Sequence, residues 1–121
     1  RIEAGTDCQH GGQFLDGKML LVDNGREKTF SRAVRIDPAT DAIDWEWRDP
    51  DGWWEGAMGS IAPEGDGYLV AEGHVGCGRD AGTEGDTSEL VSIDADGTVL
   101  ARKKVTTEDW AIYRAIPIDP F

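Results

Sequence analysis

The stretch SRAVRIDPATDAIDWEW, residues 31–47, decides how this chain is read. Apolar and polar residues alternate through Ser31–Ile36, then again through Ala42–Trp47. Period-two alternation marks half-buried strands. Between the runs, Asp37-Pro38-Ala39-Thr40 carries turn chemistry, with proline presetting φ and aspartate bonding its own backbone. The stretch predicts a β-hairpin with Ile43, Trp45 and Trp47 on one face of its second strand and Asp44 and Glu46 on the other.

The same design returns as SELVSIDADGTVLARKKV, residues 88–105. Ser31, Val34, Ile36 and Asp37 match Ser88, Val91, Ile93 and Asp94 at an offset of 57. Upstream of each hairpin lies a shorter echo. Gly17, Leu21, Val22 and Gly25 of GKMLLVDNG match Gly65, Leu69, Val70 and Gly73 of GDGYLVAEG at an offset of 48. The extra nine residues fall in the Gly-rich loop that begins at His74. A strand, loop, strand, turn, strand unit repeating near every fifty residues points to β-propeller blades. The predicted fold is all-β, a partial propeller of about two four-stranded blades, roughly residues 10–58 and 59–118. A small β-sandwich is the alternative. Repeat units bury their flanks on neighbours, so the expectation is one unit over 1–121 that belongs to a larger ring, with its remaining blades upstream or in another chain.

Composition limits the partners. The chain has 121 residues, with 12 Lys+Arg against 24 Asp+Glu and a net charge of −12. Nucleic acid and anionic membrane surfaces attract positive charge, so neither is expected as a partner. No apolar run approaches the roughly 18 residues of a membrane-spanning helix. There are 15 Asp to 9 Glu and only four Lys to eight Arg. An Asp-rich, Lys-poor surface suits a protein hydrated in concentrated salt, where self-repulsion is screened. A halophilic protein is the expectation.

The only two cysteines and only two histidines travel in pairs, as DCQH around Cys8 and His10 and HVGC around His74 and Cys77. Three accounts fit. A Cys8–Cys77 disulfide would bring both histidines together, imply an extracytoplasmic or cell-surface location, and contribute roughly 2–4 kcal/mol by closing a long loop. Alternatively, Cys8, His10, His74 and Cys77 form a Cys₂His₂ zinc set, in a zinc-stabilised structural domain. In the third account both thiols are free.

Several motifs, in order, resemble the arylsulfotransferase family of β-propeller enzymes. QHGGQFLDGKMLLVDNG resembles the family's histidine followed by a strand ending in DNG. SRAVRIDPATDAIDWEW resembles its hairpin ending in W-E-W/Y. GAMGSIAPEGDGYLVAEG and the closing YRAIPI resemble two later strands. The likeness runs from His10 to Ile118 and is to the C-terminal portion of such a protein, of haloarchaeal type. It implies sulfuryl transfer between phenols through a histidine intermediate, with no external cofactor and a small phenolic substrate. It further implies His74 or His10 as nucleophile and Arg26, just after DNG, as a charge-stabilising group. Neutral imidazole both attacks and leaves well, and sulfuryl oxygens need cationic or N–H donors. Arg32 is a second fork-shaped donor. Trp53 and Trp54, like Trp45 and Trp47, offer flat faces to an aromatic substrate. Ser31-Arg32 and Tyr113-Arg114-Ala115 match the pattern in what reads as a structural role. Where the family has an asparagine shortly after its first histidine, this chain has Gly11 and Gly12. That departure fits a non-catalytic propeller scaffold or surface binding module, the second functional reading.

Overall fold

In the computed structural model, residues 5–25, 27–55, 58–73, 87–106 and 114–118 are described. They form eight strands and, among the described residues, no helix. The strands are β1 (Gln9–Leu15), β2 (Lys18–Asp23), β3 (Arg32–Asp37), β4 (Ala42–Trp47), β5 (Ser60–Glu64), β6 (Gly67–Glu72), β7 (Thr87–Ile93) and β8 (Val99–Thr106). They make two antiparallel four-stranded sheets, ordered β1-β2-β3-β4 and β5-β6-β7-β8. The fold is all-β, as expected. The two sheets are unclosed, an arrangement that a partial propeller and a small β-sandwich share.

Each sheet is a meander because each connection is a local turn signal. Asp16-Gly17 turns β1 into β2, with both residues at positive φ (49° and 76°). After β3, Asp37 accepts a bond at Oδ1 from the Ala39 N–H, 2.9 Å, fixing the Pro38 turn.

The predicted hairpin forms, but its second strand does not keep one face. Arg35 pairs with Trp45 and Ile36 with Ile43, so Asp44 is an extra residue, a β-bulge. The bulge sends Ile43 to the face opposite Trp45 and Trp47. Sheet two has the same irregularity. There Ser92 pairs with Ala101 and Ile93 with Val99, leaving Leu100 extra and exposed.

Register also corrects the repeat. Met19 pairs with Ile36 and Tyr68 with Ile93, so Met19 is equivalent to Tyr68. The structural offset of β2 to β6 is therefore 49, one more than the letter matches give. In a strand that one residue reverses which face each side chain takes.

The core lies between the sheets. Leu20, Val22, Ala33 and Trp47 of sheet one pack with Ile61, Tyr68, Val70, Val91 and Ile93 of sheet two. Trp47 donates from Nε1 to the Gly97 carbonyl, 2.9 Å, and Gln13 from Nε2 to that of Ile61, 2.5 Å. On the far face of sheet one, Leu21, Val34 and Ile36 form a second cluster with Met19 and Ile43.

Candidate functional site

The β1 edge carries the first histidine. His10 pairs with Val22 and Gln13 with Leu20, so Gly11 and Gly12 together face Leu21 in a bulge. Gly11 has φ +59°. A Cβ there would come within 2.7 Å of the Gly59 carbonyl oxygen and 2.8 Å of the Ser60 Cα. Glycine is required because β1 passes directly against the start of β5. Bulges of this kind re-aim neighbouring side chains, and the neighbour here is His10.

What meets His10 is Asn24 of the DNG loop, 2.5 Å from Nδ1 to Oδ1. The Asn24 Nδ2 donates to the Met58 carbonyl at 3.0 Å, which leaves Oδ1 as the acceptor. His10 must therefore donate from Nδ1, and in the neutral ring Nε2 carries the lone pair. Asn24 is fully buried. Its N–H donates to the Cys8 carbonyl at 3.1 Å, and its carbonyl accepts from the Ser31 hydroxyl at 3.0 Å. Gly25, at φ +62°, completes the loop, since a Cβ there would lie 2.1 Å from the Phe30 oxygen.

Beside His10 runs a cleft of about 470 Å³, lined by Gly11, Gly12, Thr6, Met19, Leu21 and Ile36 among others. Its volume is that of a small-molecule site.

The remaining predicted residues are placed as follows. His74, Arg26 and Cys77 lie outside the described residues. The Cys8–Cys77 pairing and the zinc set thus have Cys8 and His10 as their described members. Cys8 is half-buried at φ +57°. Arg32 is 9% exposed. It donates from Nε to Asp23 at 2.8 Å and from Nη1 to Glu46. Trp53 is in the inter-sheet core. Trp54 is half-buried, with its Nε1 donating to the Gly25 carbonyl at 3.4 Å.

Reading along the chain does not by itself pair Asn24 with His10. The signal was present, because a tight turn at 16–17 lays residue 10 beside residues 22–24. A second constellation carries no signature along the sequence: Asp49, Glu72 and Glu89 are buried side by side with Arg102. Arg102 gives a two-pronged bond to Asp49 (Nη1–Oδ2 2.6 Å, Nη2–Oδ1 2.8 Å) and a third to Glu89 Oε2 at 2.7 Å. Burial raises the Asp49 carboxyl, but Arg102, Glu72 and the Asp51 N–H together outweigh it and hold it below the ordinary range. Glu72 has no such partner. Burial, then Asp49 beside it, push its carboxyl up to about 10. No donor reaches either Glu72 oxygen when it is ionised; when protonated it can donate to Asp49.

Comparison with known protein families, with characterised proteins and with solved structures gives no match.

Proposed function

We propose that the chain is part of an arylsulfotransferase-like propeller, moving a sulfuryl group between phenols through His10. The observation that carries this reading is the Nδ1–H to Asn24 Oδ1 bond. With Nδ1 donating, Nε2 is the ring atom that would attack. Nε2 would bond to sulfur as the S–O bond to the donor phenol breaks, and the phenolate leaves to take a proton from solvent. The ring of that N-sulfuryl histidine is cationic, and the carboxamide oxygen at Nδ1–H stabilises it. An acceptor phenol then forms the new S–O bond, loses its proton, and returns the electron pair to Nε2. The apolar side of the cleft, Met19, Leu21 and Ile36, suits an aryl ring. In a closed ring the neighbouring blade would complete its far wall. Arg26 and His74, which follow β2 and β6 in the sequence, are the expected companions.

The test is transfer from an aryl sulfate donor to a phenol in the protein carrying the full ring. His10→Ala is expected to lower turnover roughly 10²-fold or more, and Asn24→Ala by less. The chain alone is expected to give no turnover. Robust turnover from it would sink the incomplete-ring argument. Unchanged transfer in both His10→Ala and His74→Ala would remove the histidine mechanism.

A second reading, a non-catalytic binding module, is favoured by one observation. Gly11 and Gly12 follow the first histidine where the family pattern has its asparagine, and Gly11 is demanded by the approach of β5. A full ring that binds phenols without transferring sulfuryl groups would select it.

A further inference from the structure

The two sheets carry equivalent rows of charge in different order. By register, Asp23 lies beside Arg32 in sheet one, and Glu72 lies beside Glu89 in sheet two. Asp23 receives Arg32 Nε at 2.8 Å, Lys28 Nζ at 3.1 Å and the Asp7 N–H at 2.6 Å. At the equivalent place Glu72 receives nothing. The arginine of the row has moved outward, from β3 (Arg32) to β8 (Arg102), and a glutamate stands in its stead. Asp49, from the loop after β4, adds a third carboxylate. Arg102 is committed to Asp49 and Glu89. Among the described residues Lys104 reaches Glu89, at 3.6 Å, and is itself exposed. Glu72 is fully buried with both oxygens lacking a donor. A carboxylate desolvated in this way needs a cation or a proton.

We propose that Asp49, Glu72 and Glu89 bind one hard divalent cation of the calcium class, which does for sheet two what Lys28 and Arg32 do for sheet one. One oxygen from each of the three lies within 4.8 Å of the others. That is the span of a shell with metal–oxygen distances of about 2.4 Å. Three carboxylates and one guanidinium leave two negative charges, which one divalent ion neutralises. Each carboxylate oxygen bonded to Arg102 keeps a second lone pair. The donors are all oxygen, which excludes the nitrogen and sulfur preference of structural zinc. Calcium accepts irregular oxygen shells, whereas magnesium demands near-ideal octahedral geometry and dehydrates reluctantly. The ion would tie the loop after β4 to β6 and β7, across the contact between the sheets.

The experiment is calcium titration of the chelator-treated chain by calorimetry, in molar sodium chloride to screen the acidic surface. One equivalent is expected to bind and to raise Tm. Glu72→Gln, nearly isosteric, should weaken binding roughly tenfold or more, while Asp96→Asn in an exposed turn should leave it unchanged. Absence of a saturable equivalent, or equal binding by the Glu72→Gln chain, overturns the site; a protonated Glu72 bonded to Asp49 would then account for the cluster. Should that variant not fold, manganese-induced broadening of amide signals in the unmutated chain decides. Broadening centred on Asp49, Glu72 and Glu89 supports the site, and broadening elsewhere overturns it.

Discussion

A methyl group on Gly11 would collide with backbone of β5, and backbone cannot swing aside as a long side chain can. The residue also sits at φ +59°, where a Cβ is strained on its own account. Gly17 separates the two effects. It has φ +76° but open space around it. Gly11→Ala is therefore expected to cost about 2–4 kcal/mol, strain plus overpacking, and Gly17→Ala about 1 kcal/mol, strain alone. Urea denaturation of both variants measures the difference. Equal costs would mean that β1 and β5 do not approach as described. The same reasoning explains the glycine where the resemblance led one to look for asparagine. The carboxamide that reaches His10 comes instead from Asn24, across the hairpin.

At the scale of the element, strands and turns were legible from alternation and turn residues, and the hairpin at 31–47 forms within a residue of where those place it. Faces were not. Alternation read along β4 assumes an unbroken ladder, and the extra residue Asp44 breaks it. The letter match between β2 and β6 likewise aligned glycines that occupy different turn positions, Gly17 and Gly65, and slipped the register by one. Backbone pairing, which one-dimensional patterns do not contain, sets both. Correct register is also what exposes the charge row on β2, β3 and β4. Arg32, read as a substrate donor, holds Asp23 and Glu46 in that row. Asp23 is wholly buried. Removing the arginine leaves a desolvated carboxylate with, among the described residues, only the half-buried Lys28 as its cation. Arg32→Met should cost about 3–5 kcal/mol in urea denaturation. A cost under 1 kcal/mol would place Asp23 in contact with water and void the argument.

Across the whole molecule, the equivalent faces do not meet each other. Met19, Leu21, Val34, Ile36 and Ile43 of sheet one correspond by register to Tyr68, Val70, Val91, Ile93 and Val99 of sheet two. The second set packs on sheet one, but on its other face, that of Leu20, Val22 and Ala33. A contact between unlike faces of like units is head-to-tail, and its repetition generates rings. A sandwich of two equivalent sheets related by a two-fold axis would bury the same face of each. This favours the propeller reading. It also makes the two sheets share one core, so neither keeps that core when the other opens. Val70→Ala, in sheet two, should cost about 2 kcal/mol. By hydrogen exchange in the globally unfolding regime, amides of β2 and β3 should then lose as much protection as those of β6 and β7, because both open in the same event. Loss confined to β6 and β7 would mean that the sheets unfold separately, each a module in its own right, and that the head-to-tail contact is too weak to build a ring.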